Sequence, residues 1–294
     1  MKLAVVIVNY NSTDYLGRCL AALSRHTRVP DRRVIVVDNA STDSPVSRYL
    51  YRHPDLELLQ NQENVGFARA CNQGIRHTAA EFYLLLNPDC EVQPLAVDTC
   101  LAFLEETPDA GIVGCRVENP DGSLQRACRR RIPRPATAFY RLFGLTRLFP
   151  RNPKFAAYYV DEEPSSAPYP VEAVSGSFLM FRRAILDDVA GLDEDFFLYG
   201  EDLDFCYRTA LAGWRIYFHP GAAVTHYKRV SSSRNPRAGL FHFYDAMRIF
   251  YRKHYAPRAN PLERFLVLTG IELLYRAKLL QAHLTGRWEV GSAG

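Results

Sequence analysis

Apolar and polar positions fall into blocks along the first half of the chain, and each block has a readable period. Residues 3 to 8, LAVVIV, are apolar without a break, which suits a strand buried on both faces, and the run stops at Asn9, Tyr10 and Asn11. Leu16, Cys19, Leu20 and Leu23 then recur at helical spacing behind Ser12, a residue type that caps helix N-termini. Val34 to Val37 predicts a second strand ending at Asp38 and Asn39, and Leu56 to Leu59 a third. Asn64 to Ile75 reads as a turn leading into a helix. Phe82 to Leu86 reads as a fourth strand, ending abruptly at Asn87, Pro88 and Asp89. Strands alternating with helices predict a parallel, doubly wound α/β sheet with right-handed crossovers. Asn9, Asp38 and Asp89 each stand at a strand's carboxyl end, where open α/β sheets keep their ligands.

From Pro120 the pattern changes. DGS at 121 to 123 is a turn, and the Pro-containing segment up to Pro170 has little periodicity, so a long excursion is expected. Its aromatics, Phe139, Tyr140, Phe143 and Phe149, lie among arginines. Order returns at VEAVSGSFLMFRR, 171 to 183, where Gly176 and Ser177 inside an apolar strand permit close approach of another backbone or ligand. Glu201 to Ala212 predicts a helix with acids in its first turn, as the helix dipole prefers. Two short strands follow, Ile216 to Phe218 and Ala222 to Thr225, the second ending on His226. Beyond Ser231 the chain is helical, aromatic and basic, with Phe241, Phe243, Tyr244, Phe250 and Tyr251 among Arg248, Arg252, Lys253 and Arg258. The expected organisation is an α/β domain over 1–230 with a single, Rossmann-like, mostly parallel sheet flanked by helices, divided into halves at 1–118 and 119–230, and a helical extension over 231–294.

Composition adds a class and a charge map. With 294 residues, 48% of them hydrophobic, the chain can bury a sizeable core. The net charge of +4 conceals an uneven distribution: Arg126 to Lys154 carries nine basic residues and no acid, while Asp187 to Asp204 carries eight acids and no base. An acidic pocket edge and a basic rim facing something anionic follow from that split. No RNA- or DNA-binding motif accompanies the basic stretches, so nucleic acid is not the expected partner. Seven scattered cysteines without a CxxC pair point to a reduced, cytosolic compartment. The N-terminus enters a strand without signal-peptide features, and Phe265 to Ile271, bounded by Arg264 and Glu272, is too short to span a bilayer.

The dinucleotide fingerprint GxGxxG is missing after the first strand, which is followed by NYNST, and there is no GxxxxGK[ST] loop. If phosphates bind at this edge, a divalent metal is the economical source of compensating charge. VIVNYN, VVDNASTD, ENVGFARACNQG, LLLNPDCEV, SGSFLMFRR, FFLYGEDLDFCYR, GWRIYFHPGAAVTH and KRVSSSR occur in that order. Together they resemble the inverting family 2 glycosyltransferases with the GT-A fold, closest to the branch that looks like bacterial rhamnosyltransferases, over roughly residues 2 to 254.

The resemblance implies a role for each motif. Asp89, the last residue of Asn87-Pro88-Asp89, matches the acidic DxD strand end that holds the metal; Asn87 departs from the usual acid. His226 matches a histidine that also contacts the metal, and imidazole beside oxygen ligands suits Mn²⁺ somewhat better than Mg²⁺. Asp202 in GEDLD corresponds to the catalytic base, Glu201 beside it is counted with it as catalytic, and both Glu201 and Asp204 are neighbours able to raise its proton affinity. Asp38 would accept the imide N–H of uracil or thymine. Asn9, Asn11, Asn39 and Asn87 would line the same pocket, with Asn64, Gly66 and Arg69 on the facing loop and Arg69 pairing with a phosphate. Gly176, Ser177 and Trp214 fall on the sugar and acceptor side.

The implied reaction moves a sugar, L-rhamnose from dTDP-rhamnose, onto a lipid-linked or polymeric saccharide by metal-assisted direct displacement. A UDP-sugar donor and a non-catalytic sugar-nucleotide-binding module stand as alternatives. The basic, aromatic segments suggest peripheral contact with the anionic inner face of a membrane.

Overall fold

The computed structural model describes residues 1–133, 166–227, 235–286 and 288. The aromatics Phe139 to Phe149, the KRVSSSR stretch and the expected boundary at 230/231 lie outside the described residues. Strand β1 (Leu3–Asn9) pairs in parallel with β2 (Arg32–Asp38) on one side and β4 (Phe82–Leu86) on the other, and β3 (Leu56–Gln60) extends the parallel block beyond β2. β10 (Phe178–Arg182) lies antiparallel between β4 and β6 (Ala110–Glu118), and β11 (Arg215–His226) is parallel to β6. β5 (Cys90–Val92) and β8 (Tyr169–Val171) both run antiparallel to β11. These nine strands form one sheet in the order β3-β2-β1-β4-β10-β6-β11-β5, with β8 off that path. β7 (Arg129–Arg130) and β9 (Ala173–Val174) form a separate two-stranded ribbon.

The sheet is mixed and mostly parallel, as expected of a GT-A type fold, with β10, β5 and β8 antiparallel to their partners. Phe178–Arg182 is a short apolar run, and such a run looks the same in either direction; its connections, not its composition, decide its polarity. The two strands expected at 216–218 and 222–225 are one strand. Its pairing with β6 shifts register between His219 and Ala223, where Pro220 has no N–H to donate.

Strand alternation builds two cores. Leu3, Val5 and Ile7 face α1 (Thr13–His26) and α3 (Ala96–Glu106), packing with Leu16, Leu20, Leu23, Val97 and Leu104. Ala4, Val6 and Val8 face the opposite layer. There they meet α2 (Phe67–His77) through Ala68 and Ile75, and α5 (Glu201–Leu211), which follows the short α4 (Ile185–Val189), through Leu203 and Phe205. Each fully buried aliphatic side chain contributes about 1.5–3 kcal/mol. Gly74 lets α2 approach closely, since a Cβ there would stand 2.5 Å from Val6 Cγ1.

The C-terminal segment is helical, as its composition predicts. α6 (Pro236–His254) and α7 (Pro261–Thr285) each start at an Asn-Pro pair, whose asparagine side chain accepts from the N–H three residues on. α6 shares the second core through Ala246 and Phe250, and its His254 Nε2 meets the fully buried Asp204 at 2.6 Å. α7 packs on α6 around Leu240, Tyr244 and Ile271 and leaves Leu262, Phe265, Leu266, Leu273, Leu280 and Leu284 exposed. No described helix is long and apolar enough to cross a membrane.

Candidate active site

Register alone places Asn9 beside Asp38 at the carboxyl ends of β1 and β2. Asn9 Nδ2 donates to Asp38 Oδ1 at 3.0 Å and to Ser41 Oγ at 3.0 Å. Asn11, at φ 52°, uses its side-chain oxygen to accept from the Thr42 N–H at 2.7 Å. Asn39 Nδ2 donates to Asn64 Oδ1 at 2.8 Å, while its Oδ1 accepts from the Val65 N–H at 3.1 Å. The end of β2 is thereby stitched to the loop before α2. That helix begins at Phe67, later than Asn64, because Gly66 takes φ 88° against Phe197. Ser12 makes no capping bond; Asp43 does the work, accepting from the Thr13 N–H at 2.9 Å.

A second cluster forms where β4 and β11 end and β10 begins. His226 pairs with Cys90 across β11 and β5, and this brings His226 Nε2 to 3.1 Å from Asp89 Oδ1, with both residues buried. Asp89, Cys90 and His226 form the only group among the described residues whose ligand atoms converge enough to hold a metal ion. Burial pushes the Cys90 thiol well above its ordinary range, and its S–H donates to the Ser177 carbonyl at 3.5 Å. The effective donor set is one carboxylate oxygen and one imidazole nitrogen. Two donors at right angles on an ion with ~2.1 Å bonds stand about 3.0 Å apart, so this pair fits a hard divalent cation.

The turn between β9 and β10 joins this pair to the acidic helix. Ser177 Oγ lies 3.4 Å from His226 Nδ1, and its carbonyl accepts from the Asn87 N–H at 3.1 Å. The preceding residue, Gly176, donates its N–H to Asp202 Oδ2 at 2.8 Å. A Cβ on Gly176 would sit 3.3 Å from the Asp202 Cβ, so the close approach read from the sequence is real. Arg130 donates to the same Asp202 oxygen at 2.7 Å, and the Leu203 N–H donates to Oδ1 at 2.7 Å.

The three acids of GEDLD have separate surroundings. Glu201 is buried with Oε2 unpartnered, and burial, reinforced by the neighbouring Asp202 charge, pushes its carboxyl up to about 8. Asp204 is tied to Arg208 and His254 and serves packing.

Two expected residues are not brought to this cluster. Trp214 precedes the first residue of β11, at the opposite sheet edge and roughly 35 Å from His226 along the strand. Its indole N–H donates to Asp188 at 2.8 Å. Arg69 is half-exposed on α2, and its Nε donates to Glu194 at 3.0 Å. Gln125 and Arg130, by contrast, join the cluster without having been singled out. Gln125 follows a turn whose DGS was the only signal, and Arg130 is one of nine basic residues between 126 and 154.

An α/β sheet with polar groups gathered at the carboxyl ends of its central strands, and a carboxylate–imidazole pair beside an acidic helix, defines a GT-A type transferase. Solved structures agree on the fold. The chain aligns with S. aureus TarS 1–349 in complex with UDP-GlcNAc at TM-score 0.62 and 18% identity, covering 98% of this chain and 76% of that one. With the mannosyltransferase PcManGT of Pyrobaculum calidifontis, in complex with GDP-Man and Mn²⁺, the TM-score is 0.56 at 20% identity, covering 96% and 80%. The family model for glycosyltransferase like family 2 matches residues 2–238, and the chain belongs to that family. It is 33% identical over 260 residues, 84% of this chain and 83% of the relative, to the N-acetylglucosaminyl-diphospho-decaprenol L-rhamnosyltransferase of Mycobacterium tuberculosis. Rhamnosyltransferase WbbL of Escherichia coli K12 is 24% identical over 265 residues, 87% and 95% of the two chains. The protein is a glycosyltransferase of rhamnosyltransferase-like type.

Proposed function

We propose that the protein transfers L-rhamnose from dTDP-rhamnose to a lipid-linked or polymeric saccharide, with inversion at the anomeric carbon. One observation carries the chemistry: consecutive residues Gly176 and Ser177 touch Asp202 and His226, so a carboxylate and a cation-binding pair share one turn. Asp202 accepts the proton of the acceptor hydroxyl as that oxygen attacks the anomeric carbon. A carboxylate has about four lone-pair positions, and Gly176, Arg130 and Leu203 occupy three, leaving one for the hydroxyl. The bond from the anomeric carbon to the diphosphate oxygen breaks in the same displacement, and its electron pair leaves with the nucleotide. No carboxylate acts as nucleophile, unlike in retaining glycosidases.

Asp89 and His226 would hold Mn²⁺ or Mg²⁺, which supplies charge neutralisation for the departing diphosphate. Asp38 receives the base's imide N–H; only its Oδ1 is engaged among the described residues, which leaves the other oxygen available. Asn9, Asn11, Asn39, Asn64 and Gly66 shape that pocket, and Asn87 places Asp89.

The acceptor class rests on the mycobacterial relative, whose name specifies a decaprenol-linked substrate. Contact with the inner face of the cytoplasmic membrane fits that acceptor. It is supported by the exposed leucine stripe of α7 beside Arg264, Arg276 and Lys278. Equal sedimentation with neutral and anionic vesicles would remove the electrostatic part of that contact. For the reaction, a panel of dTDP- and UDP-sugars is incubated with Mn²⁺, and released nucleoside diphosphate is measured. Release dominated by dTDP-rhamnose is expected; preference for a UDP-sugar would replace the donor, and no release from any donor would leave only a binding module.

A further inference from the structure

The imidazole of His226 has unlike surroundings on its two nitrogens. Nε2 faces Asp89 Oδ1 at 3.1 Å, whereas Nδ1 faces Gln125 Oε1 at 3.1 Å. Gln125 decides which nitrogen carries the hydrogen, because the other end of its amide is already committed. Its Nε2 points at two backbone carbonyls, His226 O at 3.0 Å and Glu118 O at 3.4 Å. Carbonyl oxygens only accept, so the amide nitrogen must face them and the amide oxygen must face the ring. That oxygen also only accepts, so Nδ1 must bear the hydrogen. A neutral imidazole has one such hydrogen, and Nε2 is left as a bare lone pair aimed at Asp89.

Gln125 cannot turn away to relax this arrangement. Its side chain is buried, and its own N–H donates to Val117 O at 2.8 Å, on the strand that pairs with β11. Ser177 Oγ, 3.4 Å from Nδ1, can donate or accept and therefore does not choose between tautomers.

We propose that Gln125 is a positioning residue that locks His226 in the Nδ1–H tautomer, so that Nε2 and Asp89 are presented together to a divalent cation. The assignment rests on the reading of Asp89 and His226 as the cation-binding pair. With the opposite tautomer, Nε2–H would donate to Asp89 directly, and the lone pair a cation needs would be lost. The lock turns a self-satisfied hydrogen bond into two facing lone pairs that only a positive species can satisfy. Metal-binding histidines commonly donate their second N–H to an oxygen that orients the ring. Here the orienting amide also grips the histidine's own carbonyl, so one side chain holds both ring and backbone.

The test uses protein labelled with ¹⁵N-histidine, loaded with diamagnetic Cd²⁺ and read by side-chain NMR; the His226 signals are identified by their loss in His226→Asn. Mn²⁺ affinity is measured in parallel by electron paramagnetic resonance. Gln125→Met removes both polar contacts at similar length, whereas Gln125→Glu, carrying its proton on the oxygen that faces the two carbonyls, keeps both a donor for them and an acceptor for Nδ1. Expected are a protonated Nδ1 with a metal-bound Nε2 in the wild type, an affinity loss of about 10- to 100-fold in the Met variant, and most of that affinity retained in the Glu variant. Equal losses in both variants would indicate a packing role and overturn the assignment, as would an Nε2–H signal in the wild type or undiminished Mn²⁺ binding by the Met variant. If the Met variant does not fold, the wild-type spectrum decides alone. Failure of the wild type to bind Mn²⁺ would instead overturn the cation-pair reading itself, and the lock with it.

Discussion

The two ends of the sheet's carboxyl edge are built in different ways. At β1 and β2, polar groups answer one another within a short stretch of chain: Asn9 bonds Asp38 and Ser41, and Asn39 bonds Asn64. At β4 and β11 the partners come from residues 89, 125, 130, 176, 177, 202 and 226, and charge is left unbalanced. An imidazole faces a carboxylate, and Glu201 lies buried with an oxygen unpartnered. The first region is a preformed hydrogen-bond network. The second stores electrostatic tension that ligands, protons and cations can relieve, which is where reaction chemistry belongs.

Four substitutions test that contrast. The largest effect is expected for Asp202→Asn, which should lower the transfer rate by about 10²- to 10⁴-fold while nucleotide binding persists. Near-normal turnover in that variant would move the base elsewhere. Asp89→Ala should weaken donor binding about 10- to 100-fold in Mn²⁺ and little in its absence, as titration calorimetry with and without the ion would show. Asp38→Asn should cost about tenfold in nucleoside diphosphate affinity with or without the ion, since it removes one charge-assisted bond to the base. If Asp38 and Asp89 responded identically to metal, the division into preformed network and reaction centre would collapse.

The smallest effect concerns Glu201. Its carboxyl is raised to about 8 in the folded protein from an ordinary 4.5, so between those values the folded state holds a proton that the unfolded chain has released. Stability contributed at this position therefore falls as pH rises through that window. Gln at 201 does not titrate, and the melting temperature of Glu201→Gln should gain on the wild type by at least ~2 °C between pH 5 and pH 8. A constant gap across that range would mean that Glu201 ionises normally.

Much of this was legible in the residue order. LAVVIV, the Val34 run and FYLLL announced buried strands, and all three are central in the sheet. Asp38 and Asp89 stood out because each stands at or just past the end of such a strand. Gln125 did not, since nothing local marks a glutamine whose partner on both ring and backbone, His226, lies 101 residues on. Arg130 was hidden among arginines of the same charge, and Trp214 was misplaced because nearness in sequence to a strand does not say which end of the sheet it occupies.

By itself the sequence determined the central strands, the apolar face of α1 and the family, because periodicity and motif order are local properties of the chain. Tertiary structure alone decided the antiparallel insertion of β10, the meeting of Asp89 with His226, the buried state of Glu201 and the grip of Gln125. Hydrogen-bond direction, burial and charge balance depend on which distant residues arrive at the same point, and only the folded sheet brings them there.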